Sequence, residues 1–269
     1  MQKIVWALSA ATVMYGGALD AFSGQAGILR IAGGTAHIPT MKIVAREIAA
    51  AHPDLKIAIA GGGSGVGIKK VGEGLVDIGN AGRKASDAEI ARYGLVLHQW
   101  AIDGIAVAVN PDNNVTALTP AQVQAIFAGK VTNWSALGGA DAPIHLYTRD
   151  TASGTRKVFW KKLLHKSPIA SRANFVTSNG AMKRAISGDT AAVGYLSAGF
   201  IDARVRGIAI DGVAPTAANI RAGKYPYVRG LYSITKGAPK GAAKAFIAYM
   251  LSDHVQHDIV PEKGFIPVR

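Results

Sequence analysis

Three short stretches set small hydroxyl or glycine residues where an apolar run gives way to an amphipathic one. They are Gly33-Gly34-Thr35, Gly61-Gly62-Gly63-Ser64-Gly65 and Ser153-Gly154-Thr155. A strand running into a helix at such a point presents unpaired backbone N–H groups and the positive end of the helix dipole, which together attract an anion. Glycine lets the backbone approach the guest closely, and serine or threonine adds a hydroxyl donor. Taken singly, each turn also reads as an ordinary strand–helix junction with an N-cap. If the three converge on one cleft, they make a site for a water-stripped tetrahedral oxyanion. Hydrogen bonds with a charged partner contribute about 1.5–3 kcal/mol each, so a handful reaches the roughly −8 kcal/mol of micromolar binding.

The segment Arg149-Asp150-Thr151-Ala152-Ser153-Gly154-Thr155-Arg156 is the most specific of these. Arg149 ends an expected strand, and its planar fork matches two oxygens of a phosphate or sulfate. Asp150 is placed to hold that fork, although an exposed Arg–Asp pair would look the same in sequence. Arg83, at the end of Asp77-Ile78-Gly79-Asn80-Ala81-Gly82, is a second candidate clamp, or a solvent-facing side chain. Asp103 lies between two apolar runs. A carboxylate beside an anion repels it unless the anion has a proton to donate. Hydrogen phosphate has one and sulfate has none, so Asp103 could select phosphate; it could equally cap a turn.

Other chemistries find no support. Residues 62–68 lack the lysine of a phosphate-binding P-loop. No GxSxG elbow surrounds Ser64. His254 and His257 have no third metal ligand nearby in sequence, and there is no HExxH. Aromatic residues are 7% and do not alternate with basic ones, which argues against a stacking platform for single-stranded nucleic acid. The chain has no cysteine, which excludes disulfides, a thiol nucleophile and thiolate metal sites. A secreted phosphoesterase using Ser64 or Ser153 as nucleophile would need a base that the sequence does not reveal.

The elements that must position these residues follow from periodicity. Apolar runs at Ile28–Ala32, Leu55–Ala60, Val76–Asn80, Leu95–Trp100, Gly104–Asn110, Ile144–Thr148, Ala192–Leu196, Val205–Ile210 and Val228–Thr235 read as strands. His37–Ala51, Val66–Glu73, Ser86–Arg92, Gly154–Leu164, Ala181–Ile186 and Pro239–Leu251 read as helices, and Thr119-Pro120 opens another with threonine as cap and proline in first position. Alternating units of this kind predict an α/β fold with largely parallel sheets. With 269 residues, one or two domains are expected. Hydrophobic residues at 49% and charged ones at 17% exclude a disordered chain.

A basic start to Lys3, an uncharged apolar run over Ile4–Leu19 and small residues at Gly24 and Ala26 resemble a secretory signal, cut after Ala26 or after Ala21. The run is short for a membrane span of about 20 residues. The net charge is +13 and no run of bases reaches five, so the charge acts as a field of the whole molecule that favours anionic partners. A basic exterior that holds polyanionic surfaces is one alternative to a small-anion receptor.

From Ile28 to Val268 the sequence resembles the phosphate-binding components of bacterial high-affinity phosphate ABC transporters. Residues 61–83 (GGGSGVGIKKVGEGLVDIGNAGR), 102–113 (IDGIAVAVNPDN), 149–159 (RDTASGTRKVF) and 211–237 (DGVAPTAANIRAGKYPYVRGLYSITKG) carry the likeness. The resemblance implies a two-lobed periplasmic-binding-protein fold of type II, each lobe a mixed sheet flanked by helices, with two crossover strands as hinge. Residues 27–109 plus 230–269 would form one lobe and 110–229 the other, after a signal of 1–26. It implies capture of inorganic phosphate, or of another tetrahedral oxyanion such as sulfate or molybdate. It also implies delivery to an inner-membrane permease, export to the periplasm, a monomer, no cofactor and no catalysis. Thr35, Ser64, Arg149, Ser153, Gly154 and Thr155 match the family's phosphate ligands; with Ala36, Gly65, Arg83 and Asp103 they form the expected site. Two positions depart: Ala36 offers only an N–H, and Gly82 stands where serine or aspartate is usual.

Overall fold

The computed structural model describes residues 17–269. The body of the expected export signal, residues 1–16, lies outside the described residues. Among the described residues no helix is long and apolar enough to cross a membrane.

Strand β1 (Gly27–Gly33) leads through the first glycine turn into α1 (Ile38–Ala51), whose buried Met41, Val44 and Ile48 recur at helical spacing. Strand β2 (Leu55–Gly62) runs parallel to β1 and feeds α2 (Ser64–Gly72). Strand β3 (Ile78–Ala81) pairs parallel to β1 on its other side. Helix α3 (Asp87–Tyr93) opens with a full capping box, Ser86 with Glu89, and stops at Gly94 in the left-handed conformation. A second capping box, Thr119 with Gln122, opens α4 (Pro120–Phe127) at the Thr-Pro signal.

Leu95–Trp100 and Gly104–Asn110, expected as two strands, form one 15-residue strand, β4 (Leu95–Val109). The charge of Asp103 does not break it, because Arg229 stands opposite on the neighbouring antiparallel strand β11 (Val228–Lys236). Strands β6 (His145–Arg149) and β8 (Ala192–Ser197) continue the sheet, with the short β7 (Asn174–Val176) at its edge; the order is β2-β1-β3-β11-β4-β8-β6-β7. The expectation of largely parallel sheets holds only at the flanks. The β1–β2, β1–β3, β6–β8 and β6–β7 pairs are parallel, whereas β3–β11, β11–β4 and β4–β8 are antiparallel. The chain leaves one half of the molecule in β4 and returns in β11, so these two central strands run in opposite directions.

Val205–Ile210, expected as one strand, splits at Ile208. Strand β9 (Arg206–Gly207) pairs with β4, while β10 (Ala209–Ile210) pairs with β5 (Ala117–Leu118). Helix α5 (Gly154–Lys162), helix α6 (Asn179–Ser187) and the C-terminal helix Gly241–Met250 complete the framework.

The apolar core is divided. One cluster gathers Leu29, Ile31, Met41, Val44, Trp100, Ala101, Leu231 and Phe246; another gathers Ile105, Val107, Val123, Phe127, Trp134, Phe159, Tyr195 and Tyr225. Along β4 the membership changes between Ala101 and Ile105: Ile105, Val107 and Val109 pack with the second cluster, while Ala106 and Ala108 face the other side of the sheet, against Met182, Ile186 and Leu196. Phe22 is fully buried in the first cluster, edge-on to Tyr249. A cut after Ala26 would remove this ring from the core; a cut after Ala21 leaves it in place.

Candidate functional site

The three glycine- and hydroxyl-bearing turns meet. Thr35 and Ser64 come from the half that contains β1 to β3, and Ser153, Gly154 and Thr155 from the half that contains β6. Together with Gly34, Ala36, Gly63, Gly82, Arg149 and Arg229 they line one small cavity. Ser64 opens α2, and Ser153 caps α5 by accepting the N–H of Arg156 at 3.1 Å. Helix N-termini therefore face the cavity from both halves, and their dipoles favour negative charge.

At Gly63 and Gly65 the seam between the halves is backbone against backbone. Gly65 donates its N–H to the carbonyl of Ala152 at 3.0 Å. Gly63 has φ +90, and a Cβ there would lie 2.8 Å from the same carbonyl oxygen, so both conformation and space require glycine. A fourth turn joins the site: Asn179, at the start of α6, donates from its backbone N and its Nδ2 to Thr35 Oγ1 at 3.2 and 3.1 Å. Its own Oδ1 accepts the N–H of Ser197 at 3.0 Å, which fixes its orientation.

Arg149, 1% exposed, ends β6. Its Nη2 donates to the carbonyl of Thr177 at 3.1 Å, while Nε and Nη1 have no hydrogen-bond partner in the protein. Burial lowers its pKa below the usual arginine value, with Tyr195 and Asp150 acting in the other direction. Asp150 does not hold the fork as expected: the Thr177 carbonyl does, and Asp150 Oδ1 is itself without a hydrogen-bond partner.

Arg229 is the residue that sequence reading missed. Its Nε and Nη2 donate to Asp103 Oδ2 at 2.9 and 2.7 Å, and its Nη1 reaches Thr155 Oγ1 at 3.0 Å and the Gly82 carbonyl at 3.3 Å. It touches the hinge strand β4 and both halves at once. Gly82 makes room for it, since a Cβ at that position would lie 2.6 Å from Nη1.

Asp103 therefore stands behind the cavity and not in its wall. Its other oxygen accepts from Ser197 Oγ at 2.8 Å. Burial raises its pKa, against the pull of Arg229 and Ser197. Arg83 is also elsewhere: it makes a two-pronged pair with Glu89, both bonds 2.7 Å, and holds the Glu89 carboxyl at a pKa of about 2. Gly65 serves the seam, while Ala36 lines the cavity.

Directly after Ala36, His37 is fully buried. Burial, reinforced by Arg229, holds its pKa at about 3, against 6.5 for an ordinary histidine. The unfolded chain binds a proton below 6.5 that the folded chain refuses, so this contribution to stability is complete above 6.5 and is lost as pH falls toward 3. At about 1.4 kcal/mol per pH unit, the loss between about pH 6.5 and about pH 4.5 is on the order of 2–3 kcal/mol. Urea unfolding of the wild type and of His37→Gln at about pH 7 and about pH 4.5 checks this: the variant will lose less stability on acidification.

Comparison with known proteins identifies the family. A family model described as a PBP superfamily domain matches residues 20–254. The phosphate-binding protein PstS of Bacillus subtilis (strain 168) is 39% identical over 244 residues, covering 90% of this chain and 81% of the relative. PstS of Borreliella burgdorferi is 26% identical, covering 90% of each chain. Among solved structures, a putative phosphate ABC transporter substrate-binding protein from Clostridium perfringens, with bound phosphate, superposes with TM-score 0.84. It has 32% identity over 90% of this chain and all of that one. The chain thus belongs to the PBP superfamily and, within it, to the family of phosphate-binding PstS proteins.

Proposed function

We propose that this protein is a solute receptor that captures inorganic phosphate between two lobes and hands it to an ABC permease. The observation that carries the reading is the enclosed cavity, walled by four hydroxyls, by helix N-termini and by an arginine whose Nε and Nη1 meet no acceptor in the protein. Thr35, Ala36 and Ser64 bind from one lobe; Arg149, Ser153, Gly154 and Thr155 bind from the other. Each bond from these donors to a dianion is worth about 1.5–3 kcal/mol, and several of them offset the desolvation of the guest.

The lobes are built around the two largest apolar clusters, with β4 and β11 as the crossover strands. The protein works as an exported monomer in the periplasm or at the outer face of the cell, and binds without covalent chemistry. The hydroxyls of Ser64 and Ser153 accept backbone N–H groups of Gly82 and Arg156, which suits a donor wall better than a nucleophile. Titration of the purified protein with inorganic phosphate in a calorimeter tests the reading. One site of micromolar or tighter affinity is expected, and absence of phosphate binding overturns it.

A further inference from the structure

We infer that the export leader is removed by cleavage between Ala18 and Leu19, and that residues 19–26 stay with the mature protein as a strap completing the core of the lobe that contains β1 to β3. The inference rests on the export reading above and assigns its processing site, which is neither of the two positions expected from sequence.

Leader cleavage asks for small side chains one and three residues before the cut. Before a cut after Ala26 those positions hold Ala26 and Gly24, and the rule is met. Before a cut after Ala21 they hold Ala21 and Leu19, and leucine breaks it. Before a cut after Ala18 they hold Ala18 and Gly16, and it is met again. This last cut also follows closely on an uncharged, largely apolar run of twelve residues, Ile4–Tyr15, within the about 7–15 usual for a leader.

The fold separates the two cuts that satisfy the rule. Phe22 is fully buried. Its ring lies edge-on to Tyr249 of the C-terminal helix at 6.1 Å, and 5.9 Å from the ring of His52 at the end of α1. His52 donates from Nε2 to the Leu19 carbonyl at 2.9 Å, and Leu19 packs against the same apolar cluster as Phe22. Two backbone bonds turn the segment: the Ser23 N–H donates to the Asp20 carbonyl and the Gln25 N–H to that of Phe22, both at 2.9 Å. The Gly27 N–H then meets the Asp54 carbonyl at 2.9 Å, and β1 begins. A cut after Ala26 removes all of this but the last bond and takes a phenylalanine ring out of the core. A cut after Ala18 keeps it and gives up one methyl group at the edge of the cluster; Gly17 is already exposed. Hydrolysis by a leader peptidase adds water across the Ala18–Leu19 amide, leaving a carboxylate on Ala18 and a free amino group on Leu19.

The test expresses the full chain in an exporting bacterium and reads the intact mass and N-terminal sequence of the exported protein. An N-terminus at Leu19 is expected. Any other N-terminus, or a retained leader on exported protein, overturns the inference and leaves the export reading intact. Protein that stays in the cytoplasm with its leader overturns both. Ala18→Leu is expected to block or displace the cut and Ala26→Leu to leave it in place; any other pattern overturns the assignment. Chains made to begin at Leu19 and at Gly27 read the strap itself. The shorter one is expected to melt at least about 6 °C lower, and equal melting temperatures overturn the role given to the strap.

Discussion

Arg149→Ala will weaken phosphate binding by about a thousandfold, a loss of about 4.1 kcal/mol, while the protein remains folded. The wild-type guanidinium is anchored on one side by the Thr177 carbonyl and presents its Nε and Nη1 without a protein partner. Two charge-assisted bonds to one anion are worth about 3–6 kcal/mol together, which brackets the expected loss. The fold is expected to survive because Nε and Nη1 of this guanidinium hold no hydrogen bond within the protein. Truncation removes a buried cation and breaks one hydrogen bond, that to the Thr177 carbonyl. Arg149→Lys will recover only part of the affinity, since an ammonium lacks the planar fork. Calorimetry measures the effect, and an Arg149→Ala protein that binds phosphate as tightly as wild type would overturn the role given to this residue.

Asp103→Ala will have the largest effect on stability, a loss of about 3–5 kcal/mol. Its carboxylate is fully buried and is the counter-charge of Arg229, which is 6% exposed. Removing it leaves a buried guanidinium with no opposite charge beside it. Desolvation makes such a lone charge costly, even though an intact buried pair contributes little net stability. The double variant Asp103→Leu with Arg229→Met removes both charges and is expected to regain most of the loss, while binding phosphate more weakly. Guanidinium unfolding of the three proteins provides the comparison. A single variant within about 1 kcal/mol of wild type would show that the pair is not the element that holds the hinge strands in register.

These two residues also mark what could be read from sequence. Arg149, Ser64 and Ser153–Thr155 were legible because strand-end hydroxyls, glycines and an arginine within a few positions are a local pattern. Arg229 was not, because it lies inside an apolar strand far from every glycine turn. Its signal was non-local: Asp103 and Arg229 are each a lone charge in an apolar run, and one is the natural counter-charge of the other. The same non-locality hid the continuity of β4, since an unpaired aspartate would interrupt a strand and a paired one need not. Asn179 escaped notice because the α6 start has no glycine run before its cap. Arg83 was misplaced by neglect of a neighbour. Glu89, six residues on, takes both prongs of its fork and also serves the capping box of α3.

The position of Arg229 has a mechanical consequence. It belongs to a strand that joins the two halves, yet it also forms part of the chamber wall. The pivot and the cargo are therefore neighbours, and the radius between them is short. Rotation of one half against the other about these strands moves the chamber wall little and the outer rims of the lobes more. Any machine that grips those rims works with leverage: a long stroke outside becomes a small, forceful prising apart at the anion.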